Sequence, residues 1–254
     1  MFNLTKYLQE ADTIVSKVGD LSIIPMTKTD KSNKANISSK TLDGMIMFSI
    51  VSKDDYNYNE FAFRDWNTVS GILSSFRNVE SFNIDIETKN EDGLDYPYII
   101  KFNSDLVNIN HFVQRYSVIQ KSPMIAKQYS DRKLLIKMPT VETLPINEAS
   151  YTELLRVAGV INKKYFHIEK IDGDYYYCFG DMGSKSIDYA KLYLGSGIDY
   201  NFETSKRFPV NVVLALIKAL NFKCKVGMYK GYLFISGETE NTTVDISIAG
   251  RLTD

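Results

Sequence analysis

The sequence predicts an α+β fold made of two similar halves, each an antiparallel sheet system backed by two helices. Three observations lead there. Four segments carry apolar residues at helical spacing, strand-like text follows each of them, and the first two helices start about 60 residues apart, as do the last two.

In LTKYLQEADTIVSKVG the residues Leu4, Tyr7, Leu8, Ala11, Ile14, Val15 and Val18 form one stripe, which Gly19 closes. In RDWNTVSGILSSFRN the stripe is Trp66, Val69, Ile72, Leu73 and Phe76, with Asp65 as the cap. The third helix, capped by Asn147, has the stripe Tyr151, Leu154, Leu155, Ala158 and Ile161. The fourth, RFPVNVVLALIKALNFK, puts Pro209 at the first helical position and Val210, Val213, Leu214 and Ile217 on its apolar face.

Three of the helices lead into hairpins. SFNIDIET and YPYIIKF flank a polar turn at Asn90–Gly93, YFHIEKI and YYYCFG flank Asp172–Gly173, and KCKVGMY and YLFISG flank Lys230–Gly231. After the first helix, LSIIPMT and MIMFSIV are separated by a polar loop. The wider gap between helices two and three holds the polar run QKSPMIAKQYSDRKLL. The expected organisation is therefore a first domain over 1–122, a connector over 123–134 and a second domain over 135–254.

Composition narrows the function. With 30 basic and 31 acidic residues, net charge is −1, so a globally basic nucleic-acid binder is excluded but a local basic surface is not. The 17 Tyr and 14 Phe favour pleated, half-buried surfaces. Cys178 and Cys224 are too few for a disulfide framework, which points to a reducing, cytoplasmic setting. The start MFNLTKYLQEAD is unlike a signal peptide, and no apolar run reaches the ~20 residues of a membrane span.

Motifs for catalysis are missing. Neither GxxxxGK nor GxGxxG occurs, and Gly195–Gly197 reads as a loop. His111 and His167 lie far apart in strand-like text, without the clustered His and Cys of a zinc site. Asp172 and Asp174 open like a calcium loop but lack its later Glu and read as a hairpin tip. Asp85 and Glu87 read as a solvated strand face. No catalytic residue, metal ligand or cofactor is expected.

The outward helix faces remain. Opposite the stripes stand Lys6, Glu10, Thr13 and Lys17, then Asn67, Ser70, Ser74 and Arg77, then Thr152, Arg156 and Lys163, and finally Asn211, Ala215 and Lys218. The windows 4–18, 64–78, 147–164 and 205–225 hold 12 basic and 5 acidic residues, net +7, which leaves −8 for the rest. Lys164, Lys206 and Arg207 belong to that excess.

On these residues the chain resembles the DNA sliding clamps, the polymerase processivity factors, of tailed-phage type and similar in plan to proliferating-cell nuclear antigen. The run YTELLRVAGVINKKYFHIEKIDGDYYYCFGD, with LLRV at Leu154–Val157, is similar to the opening of a second clamp domain. FAFRDWNTVSGILSSFRNVESFNIDIE and VGMYKGYLFISGETENTTVDISIAG resemble a clamp's second helix with its strand and its closing strands. The resemblance implies two similar clamp domains assembling, as a homotrimer, into a six-domain ring around double-stranded DNA. The protein would then be a DNA replication factor and non-enzymatic DNA polymerase accessory protein that binds duplex without sequence specificity, loaded by a clamp loader.

It also assigns residues. Lys6, Lys17, Arg77, Arg156, Lys163, Lys164, Lys206, Arg207 and Lys218 would face DNA. HFVQRYSVI, with Val113, Arg115 and Tyr116, would meet SIDYAKLYL, with Ile187, Tyr189 and Lys191, of the next subunit. Met45, Met47, Pro123, Met124, Ile125 and Leu252 would take partner peptides. For a phage-encoded clamp the location would be the host cytoplasm. The competing readings are a monomeric clamp-fold accessory factor and a β-rich virion or structural protein without DNA binding.

Overall fold

Helix α1 (Leu4–Val18) begins where the Asn3 side chain accepts a hydrogen bond from the Lys6 N–H at 3.0 Å, and it stops at Gly19, whose φ of 134° suits glycine. The structure, a computed structural model, describes residues 2–19, 21, 23–29, 32–41, 43–119, 121, 138–180, 189–196 and 206–252. The chain parts into two units, 1–136 with 238–244 and 137–237 with 245–254. The connector expected over 123–134 lies outside the described residues, as do Pro123, Met124, Ile125 and Ile187.

In the first unit α1 is followed by β1 (Ile24–Lys28), β2 (Lys34–Lys40), β3 (Ile46–Asp55) and β4 (Phe61–Phe63), then α2 (Trp66–Ser75), then β5 (Asn83–Glu91), β6 (Leu94–Asn103) and β7 (Asn108–Arg115). The antiparallel order is β5-β6-β7-β4-β1-β2-β3. All seven stripe residues of α1 are buried. Tyr7 ties the helix to the sheet: its hydroxyl donates to the Ile50 carbonyl at 2.8 Å and accepts from the Ile37 N–H at 3.0 Å. Asp65 caps α2, and Trp66 packs edge-on to Phe63 with ring centroids 5.1 Å apart. A short helix α3 (Tyr116–Ile119) closes this part of the unit.

The second unit repeats the order. β8 (Thr143–Leu144) precedes α4 (Glu148–Ile161), which is followed by β9 (Tyr165–Ile171), β10 (Asp174–Phe179), β11 (Ala190–Ser196) and β12 (Lys206–Pro209). Helix α5 (Val210–Ala219) and strands β13 (Cys224–Tyr229), β14 (Tyr232–Glu238), β15 (Thr242–Ala249) and β16 (Arg251–Leu252) follow, with residues 238–244, from the end of β14 to the start of β15, belonging to the first unit. Outward from the strand before the second helix, the first unit runs β4-β1-β2-β3 and the second β12-β9-β10-β11. The duplication expected from spacing is thus present as strand order. The α4 start is a capping box, with the Ser150 N–H on the Asn147 side chain at 3.0 Å and the Asn147 N–H on the Ser150 hydroxyl at 2.9 Å.

Three hairpins close on two-residue turns with positive φ at both positions, as a type I′ turn requires: Asp172–Gly173 and Lys230–Gly231 as predicted, and Asp92–Gly93, where the turn expected over Asn90–Gly93 is shorter because β5 continues to Glu91. Four local expectations need correction. The strand expected over His111–Ile119 ends at Arg115, because Tyr116 and Ile119, three residues apart, both turn inward as one helical turn. Pro209 is the N-cap of α5, since Phe208 and Pro209 still pair with Phe166 and Tyr165 of β9. In α4 only Leu154 and Ala158 are buried, and Leu155, placed on the stripe, is 48% exposed. Phe76 caps the end of α2 and stacks on Phe82, ring centroids 5.1 Å apart, rather than extending the stripe.

Candidate nucleic-acid interface

Helical spacing puts the polar residues of each helix on the side away from its buried stripe. Lys6, Lys17, Asn67, Ser74, Arg77, Thr152, Arg156, Asn211 and Lys218 are exposed, whereas Lys163 is half-buried. Glu10, the acid that interrupts the pattern on α1, has a structural task. Its carboxylate accepts from the Asn241 side-chain amide at 2.6 Å, from the Asn241 N–H and from the Thr239 hydroxyl, which fastens the turn before β15.

The basic excess has moved relative to the helices. As the structure bounds them, the five helices among the described residues carry four basic residues (Lys6, Lys17, Arg156, Lys218) and four acidic ones (Glu10, Asp12, Glu148, Glu153). The whole +7 sits in the flanks, at Arg64, Arg77, Lys163, Lys164, Lys206, Arg207, Lys223 and Lys225 against Asp65. Several cations on or just beyond the helices also have acidic neighbours. Arg156 Nη1 contacts both Glu153 oxygens at 2.8 and 3.1 Å, Lys6 reaches Glu240 at 3.5 Å, and Arg77 lies 4.0 Å from the buried Asp12. Lys218 stands exposed in the last turn of α5 with no acidic group in ion-pair reach among the described residues.

Strand pairing collects a second basic group in the second unit. Lys163 and Lys164 directly precede β9, the Lys164 carbonyl accepts from the Val210 N–H at 3.0 Å, and Lys206 and Arg207 lie on β12 beside β9. Arg251, absent from the expected set, pairs with Arg207 in register and donates to the Tyr165 hydroxyl at 2.9 Å. Lys206 and Arg207 are strand residues and not helix residues.

The expected subunit-contact residues separate into two kinds. Val113 and Tyr116 are buried in the first unit's own core, and Arg115 holds its guanidinium 3.8 Å over the Tyr96 ring and pairs with Glu91. Tyr189 donates to the Cys178 sulfur at 3.5 Å, and Lys191 lies 4.7 Å over the Tyr176 ring. β11 pairs with β10 and ends its sheet among the described residues. β7 pairs with β6 over Asn108–Phe112 and with β4 only over Val113–Arg115, so the far side of Asn108–Phe112 has no strand partner among the described residues. Phe112, 53% exposed and edge-on to Tyr98 at 5.4 Å, marks this edge and was not singled out from sequence.

Of the expected peptide-binding residues, Met45 and Met47 are half-buried beside and on β3, and Leu252 is 68% exposed on β16. One further cluster escaped the sequence. His167 and Cys178 oppose each other across β9 and β10, with Glu169 beside them. The two-residue turn at Asp172–Gly173 dictates that register, so the hairpin signal, carried through to side-chain pairs, would have found it.

This architecture is that of the sliding clamps. Over 99% of this chain and 98% of the other, it superimposes with a TM-score of 0.63 and 10% identity on the A. fulgidus proliferating-cell nuclear antigen described with the C-terminal region of FEN-1 bound. The Entamoeba histolytica proliferating cellular nuclear antigen matches with a TM-score of 0.60 at 7% identity, covering 98% and 96% of the two chains. The PCNA2–PCNA3 complex of Sulfolobus tokodaii gives 0.55 at 10% identity, covering 97% and 96%. No protein-family model and no curated protein sequence matches the chain. Among the described residues no helix is long and apolar enough to cross a membrane.

Proposed function

We propose that the chain is a DNA sliding clamp: three copies close head to tail into a six-domain ring that encircles duplex DNA and tethers a replicative polymerase without reading sequence. The observation that carries this reading is the clamp fold repeated over nearly the full length. Physical chemistry favours it too. Duplex DNA presents about one charge per 1.7 Å of axis, which a few exposed Lys and Arg attract without base readout. Topology then retains the ring, so the near-neutral net charge is no obstacle.

Closure would join the open side of β7 at Asn108–Phe112 to the sheet-ending strand β11 of the next copy, which satisfies two edges at once. The polar helix faces, with Lys6, Lys17, Arg77, Arg156 and Lys218, would turn to the duplex, with Lys163, Lys164, Lys206 and Arg207 adding to the field. Polymerase and clamp-loader peptides would dock beside Met45 and Met47; the A. fulgidus protein is described with a FEN-1 segment bound. A tailed-phage clamp working in host cytoplasm is the finer form of this reading.

Two measurements test it. Sedimentation should give a species of about 87 kDa, three chains of 29.0 kDa, and the protein should stay on closed circular DNA but run off after linearisation. A 29.0 kDa species at all concentrations would favour the monomeric accessory factor instead. Absence of any DNA retention would return the chain to the structural-protein class.

A further inference from the structure

The cluster on β9 and β10 has the chemistry of a metal site. Cys178 and His167 are cross-strand partners, and Glu169, two residues along β9, projects from the same face. His167 Nε2 lies 2.8 Å from one Glu169 oxygen, and Cys178 Sγ lies 3.9 Å from the other. All three donor atoms fall within 4.8 Å of one another. His167 and Cys178 are buried, while the Glu169 side chain is 31% exposed and leaves a way in from solvent.

The distances suit a small tetrahedral ion. Zinc bonds of about 2.0–2.3 Å put neighbouring donors about 3.3–3.8 Å apart, so modest side-chain adjustment brings all three into reach. One imidazole and one thiolate select a borderline-soft transition ion over magnesium or calcium. Charge also balances: a thiolate and a carboxylate neutralise a divalent cation, which removes most of the cost of burying it.

The geometry points to a zinc-binding site formed by His167, Glu169 and Cys178, with a water molecule in the fourth position on the side of Tyr189. The ion takes the place of the hydrogen bond between His167 and Glu169, the Cys178 sulfur binds it as thiolate with its proton released to solvent, and the ion staples β9 to β10. The site is independent of the clamp reading, although Lys191 of the edge strand β11 opposes Cys178 directly.

Cobalt(II) added to the reduced, full-length chain tests the assignment. One equivalent should produce thiolate-to-cobalt charge-transfer absorption in the near ultraviolet, which zinc then abolishes by displacement. Cys178→Ser should lose the band and Cys224→Ser should keep it. Zinc should raise the thermal midpoint of the parent, and Glu169→Gln, at a half-exposed position that leaves folding intact, should weaken zinc binding at least about ten-fold. A missing band, a band that survives Cys178→Ser, or unchanged zinc affinity in Glu169→Gln would overturn the site.

Discussion

Helices α1 and α4 hold the same place in the two repeats, yet α1 buries eight of its 15 residues and α4 two of its 14. Both open with an asparagine cap and both carry an apolar stripe. The difference is what lies beneath. α1 has Tyr7 hydrogen-bonded to two strands, the Thr5 hydroxyl accepting from the Ile84 N–H at 2.9 Å, and Glu10 fastened to the turn before β15. α4 leaves Leu155 and Val160 48% and 78% exposed. A repeated element order therefore fixes where a helix goes, while the side chains facing it decide how much the helix contributes to stability.

One stripe leucine from each helix sharpens that contrast most. Leu8 of α1 is fully buried, and Leu8→Ala should cost about 2–5 kcal/mol through lost contacts and the cavity left behind. Leu155→Ala, at a half-exposed site on α4, should stay within about 0.5 kcal/mol. Urea unfolding combined with amide hydrogen exchange on each helix would show it. Equal costs would mean the two repeats bear load alike.

The second contrast concerns how a closing strand changes partners. In the first unit β7 passes from β6 to β4 at Phe112 and Val113 without a break. In the second unit β15 stops at Ala249, Gly250 donates its N–H to the Gly231 carbonyl at 2.8 Å, and β16 then joins β12. A Cβ on Gly250 would come within 2.6 Å of Lys206 Cβ and 3.1 Å of both the Gly231 oxygen and the Phe208 ring. Gly250→Val should therefore destabilise the second unit by about 1–3 kcal/mol, read as a lowered urea midpoint. An unchanged midpoint would show that the bend accommodates a side chain.

The same contrast explains what could be read without coordinates. Stripes on α1 and α2, the Asp65 and Asn147 caps and the Asp172–Gly173 and Lys230–Gly231 turns are local, set by spacing and by backbone that reverses over two residues, so they were legible. The failures are tertiary. Alternation in HFVQRYSVI looks like a strand to its end, but Tyr116 and Ile119 bury together as a helical turn. Pro209 looks like a helix start, but pairing to Tyr165 keeps it in β12. The basic surface was legible as an excess, not as a place. Where Lys206, Arg207 and Arg251 gather is decided by the pairing of β12 with β9 and β16.

Asp12 makes the stability of the first unit depend on pH. Burial pushes its carboxyl up, against the opposing effects of a Ser70 hydrogen bond and the Arg77 and Lys17 charges. An acid raised on folding contributes stability that is fully present below its unfolded value near about 3.9 and fades as pH climbs through the raised value. Asp12→Asn keeps the shape without the buried charge, so its stability should decline less than the parent's as pH rises and should exceed the parent's at neutral pH. Urea midpoints across that range measure this. A variant weaker than the parent at neutral pH would show that the Arg77 pair outweighs burial.

The smallest effects separate the helix faces themselves. Lys218 on α5 lacks an acidic neighbour among the described residues, whereas Arg156 on α4 shares its guanidinium with Glu153. Each phosphate neutralised contributes about 0.9 to the slope of log affinity against log salt. Lys218→Ala should therefore lower the slope for a duplex by up to about 0.9. Arg156→Ala should lower it by less, because the Glu153 charge freed by that change had already cancelled part of the field. Glu153→Gln should raise affinity and steepen the slope by releasing Arg156 to the phosphates. Fluorescence anisotropy on a labelled duplex over a salt series reads all three variants. If Arg156→Ala had the larger effect, the ion pair would have to open on DNA, and α4, the less buried of the two repeated helices, would be the stronger electrostatic contact.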